Sequence, residues 1–199
     1  MKKIYAFDLD GTVTKVETLP LLARELNLEN EMKLLTDLTL SGKISFEKSF
    51  KLRYLILKNI PQKKILDIMD KIELDENISK FIRENKNSCA VVTGNLDCWI
   101  APIIKKLGCR SYSSTSELDE NFSPILKNVL QKSQAIRDLK KIADKVIAVG
   151  ESFNDIPMFE EADISIAYGG VHKPVENAIS VSDYVVSDSE KLCQLLKML

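Results

Sequence analysis

The stretch Phe7-Asp8-Leu9-Asp10-Gly11-Thr12-Val13-Thr14 decides how this chain is read. It follows the apolar run Ile4-Tyr5-Ala6-Phe7, which has the length and character of a buried strand, and Gly11 supplies the turn that ends it. Asp8 and Asp10 therefore stand at the carboxyl end of a strand, the edge where ligands bind in an open α/β sheet. One aspartate placed there can attack a phosphoryl group while its neighbour moves a proton, provided a hard cation neutralises the crowded charge. A plain Asp/Gly turn has the same local sequence, so the choice rests on what the later strands present.

Working outward, residues from about 18 to 72 show only helical periodicity, in pieces Leu19 to Leu26, Glu29 to Leu40, Phe46 to Lys58 and Gln62 to Ile72, with breaks at Ser41-Gly42 and Pro61. From Glu76 onward helices and strands alternate. Helix Asn77 to Glu84 precedes strand Cys89 to Val92, helix Trp99 to Leu107 precedes a polar segment around Tyr112, and helix Gln134 to Ile142 precedes strand Val146 to Val149. Helix Ile156 to Glu161, strands Ile164 to Ala167 and Tyr184 to Val186, and a closing helix Glu190 to Met198 complete the pattern. Such alternation predicts a parallel sheet with right-handed crossovers. The expected fold class is α/β: a parallel-sheet, Rossmann-like core (1–14 and 76–199) with a small helical cap (15–75) inserted after the first strand.

Composition narrows the class. The chain has 199 residues, 45% of them hydrophobic, enough for a sizeable core and against disorder. Lys+Arg 28 against Asp+Glu 29 leaves a formal charge of -1 without a basic block, so neither nucleic acid nor an anionic membrane is the expected partner. Cys89, Cys98, Cys109 and Cys193 match no zinc-ligand spacing, which predicts buried thiols in a reduced, cytoplasmic protein. Asp8 and Asp10 interrupt the first apolar run too early for a signal peptide, and no stretch approaches a membrane span.

Three later sites bear chemistry. Val91-Val92-Thr93-Gly94-Asn95 is an apolar strand ending in a hydroxyl and a glycine, a phosphate-holding arrangement that is also an ordinary turn. Lys132, at the start of a helix, is a cation able to neutralise phosphate and nucleophile, with Lys127 as near competitor. Val149-Gly150-Glu151-Ser152-Phe153-Asn154-Asp155 presents acids that can complete an oxygen-ligated magnesium shell or simply favour a helix N-terminus. In the cap, spacing at about 100° per residue gathers Phe46, Phe50, Tyr54 and Leu57 on one face, with Arg53 at its edge beside Ser49. A charge there needs an anionic partner or a route to water, and its planar fork suits a carboxylate.

The four sites, DLDGT, T-G-N, a lysine and G-E-x-x-N-D, resemble in order and spacing the motifs of the haloacid dehalogenase-like phosphatases, and the match spans residues 4 to 167. Glu17 and the run Phe46 to Arg53 resemble the F-x-x-S-x-x-x-R cap of the phosphoserine phosphatase subfamily. The resemblance implies a magnesium-dependent phosphomonoesterase acting on a small phosphorylated metabolite. Asp8 would be the nucleophile and Asp10 the proton carrier. Asp8, Asp10 (through its carbonyl), Glu151 and Asp155 would hold or anchor Mg2+, and Thr93, Gly94, Lys132 and Asn154 the phosphate. Glu17 would meet a substrate amine and Arg53 a carboxylate, with Ser49 and Asn95 also at the substrate. Asn95 and Glu151 depart from the family's usual glycine and aspartate, and residues 111–126 look short for its hairpin. A phosphomutase, a dehalogenase and a non-catalytic phosphate-binding regulatory domain are the rival readings; Asp10 argues against the dehalogenase. Trp99 is expected in the core, His172 in an exposed loop, and Asp183 and Asp188 in turns.

Overall fold

A computed structural model describes residues 2–120 and 124–199. The apolar run forms β1 (Lys3–Phe7), the middle strand of a seven-stranded sheet. The other strands are β2 (Cys89–Leu96), β3 (Arg110–Leu118), β4 (Pro124–Asn128), β5 (Lys145–Gly150), β6 (Ile164–Tyr168) and β7 (Tyr184–Val186). Their spatial order is β4-β3-β2-β1-β5-β6-β7, parallel throughout except for the antiparallel β3–β4 edge. Phe7 is in register with Val91 and Val149, so β1 and β5 end within a residue of each other while β2 runs on to Leu96. The order reverses at β1, which puts the crevice beyond its carboxyl end.

Alternation along the strands divides the core between the two faces. Ile4, Ala6, Val92 and Ala148 pack with Ile136 and Phe159 from α7 (Lys132–Lys140) and α8 (Ile156–Glu161). Phe7, Val91 and Val149 turn the other way, into a cluster holding Phe81, Trp99 and Leu192. These come from α5 (Glu76–Glu84), α6 (Asp97–Leu107) and α10 (Ser189–Met198); α9 (Glu176–Val181) follows β6. Trp99 is fully buried, as expected of a core residue.

The expected helical insert consists of α1 (Thr18–Ala23), α2 (Glu29–Leu40), α3 (Phe46–Leu57) and α4 (Gln62–Asp70). The first ends earlier than its periodicity suggested: a 3-10 turn covers Arg24–Leu26 and Asn27, at φ 56, reverses the chain. The two strands of chain joining insert to core pair with each other, through Lys15 N–H to the Glu73 carbonyl at 3.0 Å and Asp75 N–H to the Val13 carbonyl at 2.9 Å. Across the crevice the insert is seated on the core by Tyr54, whose ring lies 6.2 Å from that of Trp99 and whose hydroxyl donates to the Pro124 carbonyl at 3.0 Å.

Two expectations change. The polar segment around Tyr112 is the strand β3, and with β4 it forms the hairpin that residues 111–126 looked too short to hold. An edge hairpin buries few of its side chains, so its sequence carries little apolar signal; residues 121–123 lie outside the described residues. β2 also continues through Thr93-Gly94-Asn95 to Leu96. No helix of the described residues is long and apolar enough to cross a membrane.

Candidate active site

Asp8 follows the last residue of β1, and its N–H still bonds to the Val149 carbonyl at 2.9 Å, which fixes the carboxylate at the sheet edge. Leu9–Val13 then form a tight, irregular turn with Gly11 at φ 77. A Cβ at Gly11 would come within 2.3 Å of Glu151 Oε1, so glycine is required both by the backbone and by the close approach of that acid.

Lys132 opens α7 and enters from beneath. Its ammonium is 2.5 Å from Asp8 Oδ1 and 2.6 Å from Asp155 Oδ1, and all three side chains are buried. Burial opposes the charge on Lys132, but Asp155 and Asp8 outweigh it and hold the ammonium above its ordinary range. Burial, with Asp155 beside it, pushes the Asp8 carboxyl well up despite Lys132. The second oxygen of Asp155 accepts from Glu151 N–H at 2.9 Å and from Ser152 N–H at 2.8 Å. Both Asp155 oxygens thus help hold Lys132 and the loop after β5.

Asp10 lies one turn further out. Thr18 donates to its Oδ1 twice, from N–H at 2.9 Å and from the hydroxyl at 2.5 Å. Asn95, whose amide donates to Thr18 Oγ1 at 2.7 Å, lies 3.5 Å from the other Asp10 oxygen. Burial and the nearby Glu17 raise the Asp10 carboxyl to about 6, against the pull of Thr18 and Asn95. Asn95 lines the cavity, but its amide serves this network. Thr18 was not foreseen; a hydroxyl at the start of an apolar helix gives no sign that it bonds to an acid eight residues earlier.

A small cavity of about 40 Å³ joins the sheet edge to the insert, lined by Asp8, Asp10, Glu17, Arg53, Thr93 and Lys132 among others. Gly94, Asn95 and Asn154 also reach it, whereas Ser49 stands behind Arg53. Phe46 closes it so tightly over Gly94 that a Cβ there would lie 1.9 Å from its Cζ. Arg53 is 5% exposed, and burial lowers the proton affinity of its guanidinium against the pull of Glu17 and Asp10. It donates to Ser49 Oγ at 2.9 Å and to Thr39 Oγ1 at 2.7 Å, and among the described residues no carboxylate lies within 4.0 Å of it. A buried guanidinium held by neutral hydroxyls retains its charge for a ligand.

Glu151 is 2% exposed, and among the described residues neither carboxylate oxygen has a hydrogen-bond partner of good geometry, although the His172 backbone N–H lies near enough to favour its charged form. Burial, together with Asp8, Glu17 and Asp155, raises its carboxyl to about 9. Buried acids that outnumber the single ammonium, one with both oxygens unsatisfied, fit a hard cation bound through oxygen.

An aspartate at a strand end, a second aspartate whose carboxyl is raised to about 6, a buried lysine and an acid-rich loop are suited to group transfer through a carboxylate. Residues 2–163 match the haloacid dehalogenase-like hydrolase model, and the chain belongs to that family. The phosphoserine phosphatase of Methanocaldococcus jannaschii is 33% identical over 181 residues, covering 84% of this chain and 85% of the relative. Two solved structures superpose over 100% of this chain and 99% of theirs. One, a phospho-aspartyl intermediate analogue of phosphoserine phosphatase, has TM-score 0.82 at 29% identity, and the other, a substrate-bound phosphoserine phosphatase complex, 0.81 at 30%.

Proposed function

We propose that this chain is a cytoplasmic, magnesium-dependent phosphomonoesterase that hydrolyses a small phosphate ester bearing a carboxylate, phosphoserine being the leading candidate. The observation that carries the reading is Asp8 held by Lys132 at 2.5 Å on the same cavity as Arg53, a buried guanidinium that has no acid partner among the described residues. Relatives and structural neighbours that are phosphoserine phosphatases support the same reading.

Asp8 Oδ attacks phosphorus in line, the ester oxygen leaves, and an aspartyl-phosphate forms. Asp10, with its carboxyl near 6, gives its proton to the leaving oxygen and then takes one from the water that cleaves the intermediate. Lys132 orients Asp8 and neutralises charge on the transferring oxygens, with Thr93, the Gly94 backbone and Asn154 as further donors. Asp8, the Asp10 carbonyl and Glu151 would hold Mg2+, which supplies charge neutralisation at the phosphoryl group. Arg53, positioned by Ser49, receives the substrate carboxylate, and Glu17 its amine. Residues 15–75 act as a lid that excludes water when Phe46 lies over Gly94.

The test is hydrolysis of an aryl phosphate by wild type and Asp8→Asn, each with Mg2+ and with a chelator. Activity should require Mg2+ and vanish in Asp8→Asn; full activity in that variant would remove Asp8 from the nucleophile's role. Faster transfer to a sugar phosphate than to water would instead identify a phosphomutase.

A further inference from the structure

Next to the phosphoryl site, three segments bring together Glu17 from the entry to the insert, Glu151 from the end of β5, and His172 from the loop between β6 and α9. One ligand atom from each lies within 4.8 Å of the other two. His172 Nε2 is 3.4 Å from Glu17 Oε1, which is itself buried and without a hydrogen bond. An ion pair between these two uses neither oxygen of Glu151, which is 2% exposed and has both oxygens without a hydrogen bond among the described residues, and the Mg2+ proposed above needs only one of them. Lys132 is already committed to Asp8 and Asp155. The cluster has more buried carboxylate than cation.

We propose that Glu17, Glu151 and His172 form a second cation site, selective for a first-row transition ion such as Zn2+ or Co2+, which shares Glu151 with the magnesium site. An imidazole nitrogen favours such ions over Mg2+, whose ligands are oxygens. Tetrahedral bonds of roughly 2.0–2.2 Å set ligand atoms roughly 3.3–3.6 Å apart, which the 3.4 Å between His172 and Glu17 already meets. The half-exposed His172 gives the ion a way in from solvent. An ion bound there engages Glu151, needed for Mg2+, and Glu17, assigned to the substrate amine. Occupancy therefore opposes turnover.

His172 is the only histidine in the chain, so its ring reports on the site without ambiguity. The experiment is a Co2+ titration of the whole protein in excess Mg2+, followed by visible absorption and by the proton resonances of the His172 ring. Wild type should bind one equivalent and show paramagnetically shifted ring signals. His172→Ala and Glu17→Gln, with folding checked by thermal unfolding, should weaken Co2+ binding by at least about 10-fold, the smallest loss typical of perturbing a metal's ligand environment. Binding that is unaltered in His172→Ala, ring signals that do not shift, or complete displacement of Co2+ by Mg2+ would each overturn the proposal. Because the readout is binding and not turnover, such a failure leaves the phosphatase reading standing, and that reading fails separately through Asp8→Asn.

Discussion

Replacing Arg53 by Met tests the substrate reading most directly, because methionine keeps an unbranched apolar stem and removes only the fork. In the folded protein the guanidinium donates to Ser49 and Thr39 at 2.7–3.1 Å, whereas its contact to Thr36 Oγ1 is long, at 3.5 Å. The edge of the fork turned to Thr36 is thus the least engaged and remains available to a ligand. Two charge-assisted hydrogen bonds to a substrate carboxylate contribute about 1.5–3 kcal/mol each, together about 3–6 kcal/mol. At about 1.4 kcal/mol per decade, Arg53→Met lowers kcat/KM for a carboxylate-bearing phosphate ester by about two to four orders of magnitude. An aryl phosphate without a carboxylate makes no such bonds and should lose no more than several-fold. The hydroxyls left behind stay satisfied, since Thr39 Oγ1 already lies 2.7 Å from Ser49 Oγ and donates to the Leu35 carbonyl at 2.6 Å, so the variant should fold. The assay is kcat/KM for phosphoserine and for an aryl phosphate on the same preparations. Equal losses on both would make Arg53 a structural residue and refute the assignment.

Gly94→Ala places a methyl 1.9 Å from Phe46 Cζ and forces that ring off the cavity. Overpacking of this kind costs about 1–3 kcal/mol of folding stability, so Tm should fall by roughly 2–12 °C, and Phe46→Ala in the same chain should recover part of it; an unchanged Tm would show that Phe46 does not rest on Gly94. Stability of the metal-free protein should fall with rising pH. The folded Glu151 and Asp10 carboxyls, at about 9 and about 6, hold protons more tightly than they do unfolded, so the stabilisation is full below the ordinary carboxylate range and is lost as pH climbs through these values. Thermal unfolding in a chelator from about pH 5 to about pH 9 checks the sign, with about 2–4 °C of Tm for each kcal/mol, and Mg2+ should raise Tm most at the alkaline end. A Tm that rose across that range without metal would contradict the buried-acid account.

Much of this site could be read from the sequence because its main parts are local. The acid pair, Gly11 and the strand before them sit within a few residues, and Thr93-Gly94 and Gly150-Glu151 repeat the same strand-end pattern. The edge position of Arg53 followed from helical spacing, although the groups that hold it are hydroxyls of α2 and α3 and not an acid. The β3–β4 hairpin was hidden because an edge hairpin has little apolar face to reveal it. His172 was expected in an exposed loop, and the loop is there; its meeting with Glu17, 155 positions earlier, depends on Val175 N–H bonding to the Glu151 carbonyl at 3.1 Å, a tertiary contact without a local signature.

The two departures from the resembled subfamily lie on opposite sides of Asp10, and geometry explains what each does. Asn95, where a glycine is usual, puts an amide 2.7 Å from Thr18 Oγ1, and Thr18 donates that hydroxyl to Asp10. Glu17 pushes the Asp10 carboxyl upward while Thr18 and Asn95 pull it down, and the balance near 6 suits a group that must both give and take a proton close to neutral pH. Glu17 and Thr18 belong to the segment that enters the insert, and Phe46, which covers Gly94, belongs to α3. The insert thus supplies both the ring that covers Gly94 and groups that shift the Asp10 carboxyl. Glu151, with its extra methylene, reaches past Gly11 to within 4.8 Å of Glu17 and His172. A shorter aspartate would leave Glu17 beside His172 alone, so the extra methylene is what brings the Glu151 carboxylate to them.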